Sequence, residues 1–205
     1  MPRSLHSPAM TWVKCCRIII RNMHHTLKLY NRNRPFVLRA YIFFARWTRI
    51  PIIGGLVRWV ANLWGGNMTS AYALNLAEAY AIVDASNGLA LGPCTCRETF
   101  HNCDNPVNVE LMIALNHEFA SDHGKEFREV SKQEAKDIIK ECHERGLLHT
   151  IVKCRQDFYA LCNCCRCCCV PLRLSKDYGI GKALTRDKTI VEQFKESLEL
   201  CETGK

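Results

Sequence analysis

Cysteine dominates the chemistry open to this chain, with 14 in 205 residues. Nine of them fall in two groups. The first is Gly92-Pro93-Cys94-Thr95-Cys96-Arg97, with Cys103 seven residues after Cys96 and Pro106 closing the loop. The second runs from Cys162 to Pro171, and six of its residues 162–169 are cysteine: Cys162, Cys164, Cys165, Cys167, Cys168 and Cys169. Thiolates gathered this densely are soft metal ligands, so both groups read as a metal centre. Cys154 is a tenth candidate, while Cys142 and Cys201 fit helix faces as small buried apolar residues.

Cys162, Cys165 and Cys168 stand at C-x2-C-x2-C, which lets one turning backbone aim three thiolates at three corners of a cube. Bacterial ferredoxin runs share that spacing and end in a fourth cysteine and a proline. Here Pro171 is present and position 172 is Leu, so the fourth ligand must come from the first group. The expected cofactor ligands are therefore Cys94, Cys96, Cys103, Cys162, Cys165 and Cys168. Cys164, Cys167 and Cys169 are further metal ligands, able to join the first group around a second cluster. Zinc is the alternative metal, although it favours separate C-x2-C knuckles. A disulfide framework is disfavoured in a chain with its own core and no visible export signal. A catalytic thiol usually stands alone beside a histidine, unlike these. His101, His117, His123, His143 and His149 show no convincing ligand spacing, and no phosphate loop, Ser–His–Asp signature or small-molecule pocket is legible. Arg97 and Arg166 abut the cysteine groups, where a positive charge favours a reduced cluster; solvated surface arginines are the equal alternative.

GPCTCR, HNCDNP, the SKQEAKDIIKECHERGLLHT segment and CNCCRCCC, in that order, resemble a group of 4Fe-4S ferredoxin-type proteins of anaerobic bacteria and archaea. The resemblance spans about residues 69–185. It implies one or two 4Fe-4S clusters and electron transfer to a redox partner protein, rather than a stand-alone enzyme. An iron–sulfur redox sensor and a zinc-stabilised interaction module are the alternatives.

The elements that must hold these ligands read as mainly α with a few short β-strands (α+β). Residues 69–85 and 107–119 read as helices, and 88–93 as a strand leading into the first group. Ser131 and Glu134 form a capping box for a helix that Gly146 stops. LLHTIVKC is a strand candidate leading to FYAL and the second group. Ile190, Val191, Phe194, Leu198 and Cys201 recur at helical spacing over 187–201.

Charge divides the chain. The first acidic residue is Glu78, and 11 of the 28 basic residues precede it, leaving 17 to face all 20 acidic ones. Residues 1–66 thus form a basic arm and residues 67–205 a cluster-binding domain. Lys14, Arg17, Arg21, Lys28, Arg32, Arg39 and Arg46 are spaced along one helical stripe. Ile18, Ile19, Met23, Leu27, Tyr30, Leu38, Ile42 and Trp47 flank or oppose it, and Pro35 divides it. Such an arm suits an anionic membrane surface, ahead of a partner subunit and well ahead of nucleic acid. No stretch reaches the ~18 uncharged apolar residues of a membrane span. The expected location is cytoplasmic and peripheral, on the inner face of a membrane.

Overall fold

Asn75 sets where the first strand of the body stops. Its side chain accepts from the Glu78 N–H at 2.8 Å, and the Glu78 carboxylate accepts from the Asn75 N–H at 2.8 Å. This reciprocal cap starts a helix at Leu76 and frees the preceding residues to extend. The stretch 69–85, expected to be one helix, is therefore a strand followed by a helix. The computed structural model describes residues 33–67, 69–113, 127–154 and 157–203.

Seven helices and seven strands occur among those residues, in an α+β arrangement around one mixed sheet. The helices are α1 (Arg34–Ala45), α2 (Gly54–Asn67), α3 (Leu76–Ala85), α4 (Thr95–Phe100), α5 (Lys132–Glu144), α6 (Val170–Tyr178) and α7 (Ile190–Thr203). The strands are β1 (Thr69–Leu74), β2 (Leu89–Pro93), β3 (Asn108–Ile113), β4 (Arg128–Glu129), β5 (Leu148–Cys154), β6 (Asp157–Cys164) and β7 (Leu184–Thr185), in the order β4-β2-β3-β6-β5-β1-β7. β5 pairs antiparallel with β6 from Leu148↔Cys164 to Cys154↔Asp157, and with β1 from Leu74↔His149 to Thr69↔Cys154. β7 pairs parallel with β1 at the edge.

Residues 108–113, expected within a helix, are strand β3. Short apolar runs carry no period that separates the two states, and pairing with both β2 and β6 decides this one. Residues 114–126 lie outside the described residues.

α3, α5 and α7 cover one face of the sheet, where Ile82, Ile139 and Phe194 pack with Leu111, Ile151 and Leu161. Ser131 caps α5 by accepting from the Glu134 N–H at 3.1 Å. Only half of the expected box forms, because the Glu134 carboxylate pairs with Arg128 instead. Gly146, with φ of 73°, adopts the left-handed conformation that ends α5. The strand expected over LLHTIVKC is β5, and α7 buries Ile190, Val191, Phe194 and Leu198 at the expected helical spacing.

On the opposite face, α1 and α2 are joined by a 3-10 turn, Arg46–Arg49. Pro35 sits in the first turn of α1, where its missing N–H costs nothing. Leu38, Ile42 and Ala45 of α1 are buried against Val170, Tyr178 and Ile180. Arg34 reaches Glu110 on β3 at 2.9 Å, with the Glu110 side chain only 2% exposed. Of the expected basic stripe, only Arg39 and Arg46 fall within the described residues, and both are exposed.

Arg34→Met leaves the Glu110 carboxylate buried without its cation. We expect a loss of about 3–5 kcal/mol in denaturant unfolding. Adding Glu110→Gln to that variant should recover most of the loss, and a double variant no more stable than Arg34→Met would contradict it.

Candidate metal centre

The site is built by a short helix, a tight loop and a turn. α4 begins at Cys94, whose N–H donates to the Val107 carbonyl at 2.8 Å. One turn later Arg97 points inward and is 2% exposed, the bulkiest of the fully buried side chains. Its Nε donates to Cys165 Sγ at 3.4 Å, while its two terminal nitrogens donate to the carbonyls of Pro106 and Asn163. A buried guanidinium needs this degree of satisfaction, and it places a positive charge against sulfur.

α4 ends at His101, whose φ of 48° makes it the only non-glycine with positive φ among the described residues. That left-handed turn presents the Asn102 N–H to Cys168 Sγ at 3.4 Å. The Asn102 side chain donates to the Cys167 carbonyl at 2.9 Å, and Asn105 donates to Cys103 Sγ at 3.4 Å. The polar loop between Asn102 and Asn105 therefore clamps the cysteine turn and supplies donors to its sulfurs.

Strand alternation sorts the cysteines of the second group. Cys162 and Cys164 lie on one face of β6, and Asn163 on the other. Asn163 is fully buried: its amide donates to the Val109 carbonyl at 2.9 Å and its Oδ1 lies 2.7 Å from His149 Nδ1. Since the amide nitrogen faces a carbonyl, Oδ1 accepts and His149 Nδ1 carries the proton. Burial holds the His149 pKa below its ordinary value, and the ring's other nitrogen is 3.3 Å from His143 Nδ1.

After β6 the chain turns through residues 165–168 and enters α6, with Cys169 as its N-cap and Pro171 in its first turn. The turn brings Cys165, Cys167 and Cys168 to Cys103. All four sulfurs lie within 4.8 Å of one another, and Cys103 Sγ is 3.7 Å from Cys165 Sγ and 3.8 Å from Cys168 Sγ. Cys165 and Cys168 are buried; Cys103 and Cys167 are half-buried and form the outer edge.

These four thiols can hold a metal ion. A tetrahedral ion with metal–sulfur bonds of about 2.3 Å separates its sulfurs by about 3.8 Å. A cubane would spread the sulfurs further, because each thiolate then binds a different iron.

The environment prepares one thiolate. Burial opposes ionisation of Cys103, but hydrogen bonds from Cys167, from the Asn105 backbone and side chain, and from Cys165 outweigh it and bring the thiol down to about 6. Cys168 is pushed up to about 11, chiefly by burial, and Cys167 is raised further, again with burial as the main cause. A metal binding here would displace protons from both, so its affinity rises with pH.

The other expected ligands lie elsewhere. Cys94, Cys96, Cys162, Cys164 and Cys169 line a cavity that Cys165 also reaches, with Cys94 in one buried cluster with Cys165 and Cys168, and the side chain of Cys154 lies outside the described residues. Leu172, at the place of a ferredoxin's fourth cysteine, is buried against Cys164 and Cys169. Arg166 is 79% exposed and pairs with Asp177 at 3.7 Å, so of the two arginines only Arg97 reaches a sulfur. Cys142 is buried as expected. Sequence reasoning did not single out Asn102, Asn105 or Asn163. The polar run His101-Asn102-Cys103-Asp104-Asn105 was the available signal for two of them.

Compared with known protein families, with curated proteins and with solved structures, the chain matches none. The site's chemistry therefore rests on its own residues: four clustered cysteines able to hold a metal.

In the reduced, metal-free chain, Cys103 should be the first of these thiols to react with iodoacetamide at neutral pH, because the thiolate is the nucleophile. Its rate should fall as pH drops through about 6. Peptide mapping reads this directly. Labelling no faster than at Cys142, whose thiol burial pushes up to about 11, would contradict it.

Proposed function

We propose that this chain is an iron–sulfur electron carrier, with iron bound by Cys103, Cys165, Cys167 and Cys168, working at a membrane surface. One observation carries the metal reading: four convergent thiols receive three N–H···S hydrogen bonds, one from the fully buried Arg97. Donors and a fixed positive charge at the sulfurs stabilise the more negative, reduced state of an iron centre and raise its potential. The half-buried edge at Cys103 and Cys167 supports exchange of electrons with a redox partner protein, while Cys165 and Cys168 anchor the centre inside.

Zinc is the second reading, and the sulfur spacing of 3.7 and 3.8 Å favours it, since it already suits a single tetrahedral ion. In that case the centre is structural and ties the 101–106 loop to the turn before α6. Purification without oxygen, followed by iron, sulfide and zinc analysis, separates the readings. Bound iron with a broad visible absorption, both lowered in Cys103→Ser/Cys168→Ser, is the expected result. A colourless protein with zinc in their place would sink the electron-carrier reading.

The membrane part rests on α1 and α2. Among the described residues, every exposed large apolar side chain except Val107 lies between residues 36 and 64. Phe36, Ile52, Leu56 and Trp59 are 74%, 92%, 62% and 61% exposed. Exposed Arg39, Arg46, Arg49 and Arg58 are interspersed with them. An apolar patch of this extent marks an interaction surface, and basic residues beside it suit anionic lipid headgroups. Each such residue contributes about 1 kcal/mol near an anionic surface. No helix among the described residues is long and apolar enough to cross a membrane, and the attachment proposed is peripheral.

Full-length protein should float with anionic liposomes at low salt. Ile52→Glu/Trp59→Glu should stay behind in the dense fractions while keeping its metal, because neither side chain is buried in the fold. Equal flotation of the two proteins would rule this surface out as the lipid contact.

A further inference from the structure

Five cysteines remain once the tetrad is set aside, and they are not scattered. Cys94 precedes α4, Cys96 lies in its first turn, Cys162 and Cys164 face the same side of β6, and Cys169 caps α6. Their thiols are close enough to perturb one another: Cys96 meets both Cys94 and Cys169, Cys169 also meets Cys164, and Cys162 feels Cys96 and Cys164. The Thr150 hydroxyl lies 3.4 Å from Cys164 Sγ. Arg34 supplies a positive charge near Cys96 and Cys162, and Glu110 stands beside it. All five cysteines, with Cys165 of the tetrad at their edge, line a partly open cavity of about 520 Å³, whose far side is formed by apolar residues of α1, α2 and α6 such as Leu38, Val57 and Leu174.

One wall of this cavity is sulfur, and all five of these cysteines are free. The thiols run as a string of neighbours along that wall, whereas the tetrad sulfurs converge to within 4.8 Å. A single ion draws its ligands to one point. A polynuclear centre binds each thiolate to a different iron and suits ligands spread around a space.

We propose that Cys94, Cys96, Cys162, Cys164 and Cys169 form a second metal site, distinct from the tetrad, that takes a polynuclear iron–sulfur centre in this cavity. Four of the thiolates ligate and the fifth is spare. Cys164 and Cys165 are adjacent in the chain, as are Cys168 and Cys169, and each pair sends one thiol to each site. The two centres are therefore neighbours in one protein. The second is lined mainly by apolar side chains, and the first has its half-buried edge at Cys103 and Cys167. The identity of the metal rests on the iron–sulfur reading above, whereas the existence of the second site does not.

The test uses the full chain, reconstituted without oxygen with ferrous iron and sulfide, beside Cys96→Ser/Cys169→Ser and Cys103→Ser/Cys168→Ser. Total metal and sulfide per chain are measured together with circular dichroism, and the reduced proteins are examined by electron paramagnetic resonance. Cys96→Ser/Cys169→Ser should lose roughly half of the bound metal or more and nearly all sulfide attributable to a polynuclear centre, while retaining the tetrad's metal. Cys103→Ser/Cys168→Ser should show the complementary loss. The parent's reduced spectrum should be broadened by interaction between two paramagnetic centres, a readout that needs no variant to fold. Metal and sulfide unchanged in a folded Cys96→Ser/Cys169→Ser would overturn the second site. So would a one-centre parent spectrum in protein whose tetrad is shown to hold iron. If the tetrad retains zinc while Cys96→Ser/Cys169→Ser still loses iron and sulfide, the tetrad's iron reading fails and the second site stands.

Discussion

A guanidinium buried to the extent of Arg97 constrains everything around it. Removing its charge from water is costly unless each face of the group meets an acceptor, and here the acceptors are the Pro106 and Asn163 carbonyls and Cys165 sulfur. Those three contacts tie α4 to the loop after it, to the end of β6 and to the cysteine turn. The same demand for negative charge that fixes Arg97 favours thiolates beside it, and thiolates are what a metal requires. Ligand geometry and local stability thus have one electrostatic origin. In turn the guanidinium depends on Asn163, whose side chain is held by His149 and the Val109 carbonyl from neighbouring strands.

The division of the cysteines follows from backbone direction. A β-strand alternates its side chains between faces, so Cys162 and Cys164 cannot join a centre on the side of Asn163. The turn from 165 to 168 then reverses the chain and sends Cys165, Cys167 and Cys168 towards Cys103, before α6 returns Cys169 to the other side. A crowded run of six cysteines between 162 and 169 is thereby dealt to two sides with no long connection. Six thiols in eight residues could not otherwise avoid crowding a single point.

Much of this was legible in the sequence, and the limits have physical causes. A possible metal site shared by the two cysteine groups, the α+β class, the Gly146 stop and the faces of α5 and α7 follow from residue type and local period. The strands β1 and β3 did not, because TSAYAL and NVELMI are too short for period to decide and become strands through pairing partners distant in the chain. Which thiols share a centre was also hidden: C-x2-C-x2-C spacing groups Cys162 with Cys165 and Cys168 on paper, yet Cys162 lies in a strand and the others in a turn. Arg97 was noticed for its position, but only the fold shows it buried.

The helices α1 and α2 carry two duties that their composition alone could not separate. Their residues are apolar nearly all round, a pattern that in an isolated helix signals complete burial. In the fold, Leu38, Ile42 and Ala45 face the body, while Phe36, Phe43 and Phe44 face outward. Leu38 and Ala45 line the cavity beside the second group of cysteines, and the ion pair of Arg34 with Glu110 pins that side at its start. The outward residues form the exposed apolar surface. Whatever docks on that surface presses on that side of the cavity rather than on the open edge of the tetrad at Cys103 and Cys167. A surface-bound chain would therefore keep its buried sulfur wall shielded while its half-buried centre stays open to a partner. Residues 34–67 thus pack on the cysteine-bearing body, and Leu38, Ile42 and Ala45 finish part of its interior.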